Sequence, residues 1–140
     1  MLLAGIILSA VPVTASAEGQ DTRVKFEVDP SYTVIIPPEI ILDPQSDGTY
    51  AKDAAITASD VRLKYGQGIT VALESDYTLT SDEGAELAYS VIPANNVSGD
   101  AVAQFKTDTA DQTAVIKFQA GVPEFSGNYK DTVTFVISVS

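Results

Sequence analysis

The chain has no histidine, no cysteine and no tryptophan among its 140 residues, and each absence removes a chemistry. Without histidine there is no side chain that ordinarily titrates near neutrality, so general acid–base catalysis loses its commonest agent. Without cysteine there is no thiolate nucleophile and no disulfide framework of the kind that staples small secreted modules. Without tryptophan, the broadest aromatic surface for stacking a sugar is missing. Positive charge is scarce too: 8 Lys and Arg stand against 19 Asp and Glu, a net charge of −11, which argues against nucleic acid and anionic membranes as partners. Beyond residue 13 no apolar run approaches the ~20 residues that cross a bilayer as a helix, so membrane insertion of the remaining chain is not expected.

The one long apolar stretch opens the sequence. Met1 to Val13 is apolar, and Thr14-Ala15-Ser16-Ala17 supplies the small-x-small pattern that a signal peptidase cleaves. The reading is a signal peptide over 1–17 and a mature chain starting at Glu18; the alternatives are a membrane anchor, for which the run is short, and a core strand. Residues 18–140 have the size of one domain and keep all the charge. An acidic surface suits solubility outside the cell. A secreted or cell-surface location follows, and the lack of cysteine leans toward bacterial export.

Alternation with a period of two runs through most of this region, and helical periodicity is scarce. Val24, Phe26 and Val28 alternate with Arg23, Lys25 and Glu27 until Asp29-Pro30, which predicts a half-buried strand near the mature N-terminus. Tyr32 to Ile36 reads as a strand stopped by Pro37-Pro38, and Glu39 to Leu42 resumes extended structure. Ala51 to Ala58 alternates, Val61 and Leu63 suit a further strand, and Ile69, Val71 and Leu73 share a face after the Gly66-Gln67-Gly68 turn. Leu87, Tyr89 and Val91, then Val102 to Phe105 and Thr113 to Phe118, add three more. The last strand places Val133, Phe135, Ile137 and Val139 on one side, with Thr132, Thr134 and Ser138 on the other. Short strands with turns every ~8–12 residues predict an all-β, antiparallel, immunoglobulin-like sandwich of Greek-key type with roughly 7–10 strands.

The candidates for chemistry are weak beside their structural readings. Asp82-Glu83 and Asp108/Asp111 are the nearest acidic clusters for two-carboxylate hydrolysis or for calcium, but each sits in a turn, where such residues serve solvation and local backbone hydrogen bonds. Gly66-Gln67-Gly68 starts like a dinucleotide fingerprint, yet Val71 stands where the third glycine belongs and a strand follows. Asn96-Val97-Ser98 fits a glycosylation acceptor and also a plain polar turn. Tyr32, Tyr50, Tyr65, Tyr77, Tyr89 and Tyr129 could form a sugar-stacking platform, though most occupy strand-period positions that suit packing. Tyr129, just after a Gly-Asn turn, suits a structural corner in which its hydroxyl ties back to the backbone. No catalytic residue, metal ligand or cofactor is expected.

The stretch Gly127-Asn128-Tyr129-Lys130-Asp131-Thr132-Val133-Thr134-Phe135-Val136-Ile137 resembles the C-terminal ending of fimbrial subunits and of the spore coat protein U family. Tyr32-Thr33-Val34-Ile35-Ile36-Pro37 is similar to the early strand of small exported immunoglobulin-like proteins of Gram-positive bacteria. Two departures from chaperone-assembled pilins are the missing disulfide and Val139 in place of a penultimate aromatic. The resemblance implies a non-enzymatic, surface-exposed structural or adhesive module of fimbria-like kind, whose partners are like subunits or cell-surface glycans and proteins. The alternative is a carbohydrate-binding module. The resemblance also implies strand exchange, with Val24, Phe26 and Val28 donated to a neighbour and Val133, Phe135, Ile137 and Val139 beside the receiving groove. The sequence favours the plainer use of both segments, as the first strand of their own domain and the strand that locks it.

Overall fold

A computed structural model describes residues 19–140, so the signal-peptide reading of 1–17 lies outside the described residues. The chain divides into two units, Met1–Pro30 and Ser31–Ser140. In the first, residues 19–30 carry no regular secondary structure, and Val24, Phe26 and Val28 are 89, 70 and 50% exposed. The half-buried strand expected there is not formed. An alternating pattern makes a strand only when its backbone finds a ladder partner, and among the described residues these have none.

The second unit is built from ten strands: β1 (Ser31–Ile35), β2 (Asp43–Pro44), β3 (Tyr50–Arg62), β4 (Gly68–Glu74), β5 (Thr78–Ser81), β6 (Glu86–Ile92), β7 (Ala101–Lys106), β8 (Gln112–Ala120), β9 (Tyr129–Lys130) and β10 (Thr134–Val139). One sheet has the order β1-β3-β8-β6-β5-β9, with β2 also on β3; the other has the order β10-β4-β7. Every pairing is antiparallel. The expected immunoglobulin-like sandwich is what the chain forms: β1, β3, β8 and β6 follow the A-B-E-D order of one immunoglobulin sheet, and β4 with β10 follow the C-F pair of the other.

The core comes from inward residues of both sheets. β8 alternates without interruption, burying Ala114, Ile116, Phe118 and Ala120 while Thr113, Val115, Lys117 and Gln119 face water, as an antiparallel sheet with one wet face requires. Across the β3/β8 ladder large residues oppose small ones, Ile56 against Ala114 and Ala54 against Ile116, which lets the two side chains of each pair share one layer. Ile56, Val61, Ile69, Val71 and Ile116 are essentially fully buried, each contributing about 1.5–3 kcal/mol of transfer free energy.

β3 is longer than its pattern suggests, because Val61 and Arg62 continue the strand that began at Tyr50. After Ala51 its buried positions run Ala54, Ile56, Ala58 and then Val61, so past Ala58 the alternation skips a residue. Asp60 absorbs the skip with a φ of 50°, a left-handed conformation that aspartate tolerates better than branched residues do. At the other end of the β3–β4 turn, Gly68 lies so near β7 that a Cβ would sit 2.9 Å from the Phe105 carbonyl oxygen. Only glycine fits there without moving β7.

Candidate functional site

In the three-stranded sheet β7 lies on the far side of β4, so among the described residues β10 has β4 as its one strand neighbour. A complete immunoglobulin sheet of this type carries a further strand beyond the position of β10. β1 is likewise an edge, paired with β3 alone. The structure has an open groove of about 1090 Å³ that β10 reaches through Phe135 and that the segment following β1 lines.

One wall of the groove is the segment 37–42 that follows β1, including Ile40, Ile41 and Leu42. Pro37 and Pro38 have no amide hydrogen for a ladder, and residues 37–42 form no regular strand, contrary to the extended strand expected over Glu39 to Leu42. The floor is apolar, with Tyr50, Leu79, Leu87 and Ala120 from the large sheet. The opposite wall is the strap 121–133 between β8 and β10, continued by Val133 and Phe135.

Several ties shape that strap. Tyr129 Oη donates to the Phe125 carbonyl at 2.8 Å. β9 pairs with β5 through Ser81↔Tyr129 and Thr80↔Lys130. Gly127 passes so close to β5 that a Cβ there would lie 3.1 Å from the Ser81 Cβ. The strongest tie is at Asp131, whose Oδ2 accepts from Tyr89 Oη at 2.6 Å and from Ser75 Oγ at 3.0 Å. The two hydroxyls lie 2.7 Å apart, and the Tyr77 amide donates to Ser75 Oγ at 2.9 Å. Tyr77 takes a φ of 54° at this kink and returns its carbonyl to the Tyr89 amide at 3.0 Å.

The electrostatics follow from this geometry. Burial pushes the Tyr89 hydroxyl well above its ordinary value, and the Asp131 carboxylate adds to the effect, since a phenolate beside a carboxylate would place two like charges together. For Asp131, desolvation acts upward, but the hydrogen bonds from Tyr89, Ser75 and the Thr132 amide outweigh it and hold the carboxyl below its usual value. At neutral pH the cluster is therefore an ionised acid held by two neutral hydroxyls.

The structure brings Tyr129, Val133 and Phe135 to the groove. Ile137 packs on the core from β10, and Val139, 37% exposed, pairs with Ile69. Val24, Phe26 and Val28 stand in the other unit. Sequence reasoning missed the floor residues Leu79 and Leu87 as groove residues, and missed the Asp131–Tyr89–Ser75 cluster. The acid was visible in Gly127-Asn128-Tyr129-Lys130-Asp131, but nothing in the sequence tied it to its partners. Among the tyrosines, Tyr77 and Tyr89 are tilted at 55° with ring centroids 5.8 Å apart, and Tyr89 is buried, so that pair offers no flat sugar platform. Among the described residues no group of acids could hold a metal ion, and no helix is long and apolar enough to cross a membrane.

No protein-family model matches the chain, and no curated protein matches it in sequence. Among solved structures it is similar to a chain in the crystal structure of the CsuC–CsuE chaperone–tip adhesion subunit pre-assembly complex, from the archaic chaperone-usher Csu pili of Acinetobacter baumannii. The superposition has a TM-score of 0.52 at 14% identity and covers 79% of this chain but 40% of the other. The chain thus spans less than half the length of that neighbour, and what the two share is the fold.

Proposed function

We propose that this protein is a non-enzymatic structural subunit of an extracellular or cell-surface assembly, exported by the leader read over 1–17, whose groove accepts an extended strand from another copy. The observation that carries the reading is β10: an edge strand with one neighbour among the described residues, whose Phe135 lines a groove with an apolar floor, in a fold shared with a chain of a pilus assembly complex. A strand laid along that edge satisfies backbone groups and seats alternate side chains in the groove.

The donor is residues 22–28. They present Val24, Phe26 and Val28 at alternate positions, exposed and without a strand partner among the described residues. Seven residues in extended form reach about 23 Å, comparable to the length of β10. A tight hairpin between the segment and β1 is opposed by Asp29-Pro30, the only residues between them. Proline fixes φ near −65° and holds the preceding residue extended, whereas two-residue hairpin turns require the mirror-image geometry. The segment is thus suited to a neighbour's groove.

The test compares the full chain with its Phe26→Asp variant by size-exclusion chromatography with light scattering. The expected result is concentration-dependent oligomers for the wild type and a folded monomer for the variant, with a melting temperature within a few degrees of wild type. A wild type that stays monomeric at every concentration overturns the reading.

A further inference from the structure

We propose that Asp131 is a positioning residue of the groove: its carboxylate, held by Tyr89 and Ser75, fixes the wall that an incoming strand must meet. This rests on the strand-accepting reading above and adds a residue that sets how well the groove binds.

Three observations carry it. First, Asp131 lines the groove itself, and two and four residues further on Val133 and Phe135 form its apolar wall, so displacement of Asp131 moves both. Second, the tie crosses the sandwich. Ser75 directly follows β4 of the three-stranded sheet, and Tyr89 belongs to β6 of the large sheet, so one carboxylate fixes the strap to both layers where the groove opens. Third, the anchor behind it is rigid: the Tyr89 ring is buried, stacks on Phe118 with centroids 6.2 Å apart, and has its amide bonded to the Tyr77 carbonyl. Asp131 is itself exposed, so Tyr89 is the buried end of this tie, and the remaining ties to the strap are exposed or short. The Lys130–Asp82 ion pair at 3.3 Å has both side chains more than half exposed and holds little, and β9 contributes a two-residue ladder. A groove whose wall is already in place loses less freedom when a strand binds, and that difference appears as affinity.

The experiment uses the full chain carrying Phe26→Asp as host, so that its own segment does not compete, and a fluorescein-labelled peptide of residues 19–30 as probe. Peptide affinity is read by anisotropy at a temperature well below the melting point of every variant. Adding Asp131→Asn is expected to weaken binding about tenfold or more, the scale of a charge-assisted hydrogen bond, and Tyr89→Phe to weaken it in the same direction. Ile116→Val, a core change in β8 outside the groove lining, is expected to lower the melting temperature and leave affinity unchanged. Hydrogen exchange in the Asp131→Asn protein is expected to speed up across residues 125–135 and little elsewhere. Should Asp131→Asn fail to fold, Tyr89→Phe carries the same comparison. Wild-type affinity in both cluster variants, or an equal loss in Ile116→Val, overturns the positioning role while the acceptor groove stands. A host that binds no peptide overturns the acceptor reading and this role together.

Discussion

Asp131 keeps its charge because its hydrogen bonds outweigh the desolvation that opposes it, and this has a consequence for acid stability. Its folded value is depressed because the charged form receives hydrogen bonds from Tyr89, Ser75 and the Thr132 amide, with Asp76 also close by. A depressed acid contributes stability that is present above its unfolded value of ~3.9 and is lost as pH falls through the folded value. The gap in melting temperature between wild type and Asp131→Asn should therefore be largest near neutrality and close below about pH 4. Thermal melts by circular dichroism across that range check this, and a gap that does not vary with pH would show that the charge is not what the cluster stabilises. None of this was legible in the sequence. The three side chains lie 14, 42 and 56 positions apart in pairs, and a hydroxyl in a strand looks the same whether it meets water or a carboxylate.

At the scale of elements, β3 is the strand on which the large sheet depends, with β1, β2 and β8 all paired to it. Ile56 at its centre is fully buried and meets only alanine across the ladder, so little can collapse into the space it would leave. Ile56→Ala is expected to cost about 2–5 kcal/mol, measured by urea unfolding, whereas a cost below about 1 kcal/mol would show that the layers close over the gap. The alternation of β3, β4, β6 and β8 was legible because their inward faces are continuous in sequence. The skip at Asp60 was not, since a bulge changes which residues face inward without changing which are apolar. Residues 22–28 show the opposite limit: Val24, Phe26 and Val28 have a strand's pattern and no strand, because pattern specifies a face and not the molecule that covers it.

For the whole molecule, each copy carries a net charge of −11, so bringing copies together works against repulsion between them. Raising the salt concentration from ~0.01 to ~1 M shortens the screening length from ~30 to ~3 Å. Assemblies are therefore expected to grow with added salt, as read by light scattering. Dissolution by salt would instead indicate that Arg23 and Lys25, two of the eight cations, attract the neighbour more strongly than the overall charges repel. The sandwich class was readable from composition and turn spacing alone. The open edge at β10 was not, because it is a property of strand order, and order depends on contacts between distant parts of the chain.

The pairing of β1 also bears on how the molecule would carry load. Any pull on residues 19–30 enters the sandwich at Ser31 and runs along the axis of β1, whose ladder to β3 joins Ser31, Thr33, Val34 and Ile35 to Arg62, Ser59, Ala58 and Thr57. Ladder bonds in an antiparallel pair lie across the strands, so tension along β1 strains them side by side and they must slip together. A fibre linked through that segment would resist stretching by shear at every β1 along its length.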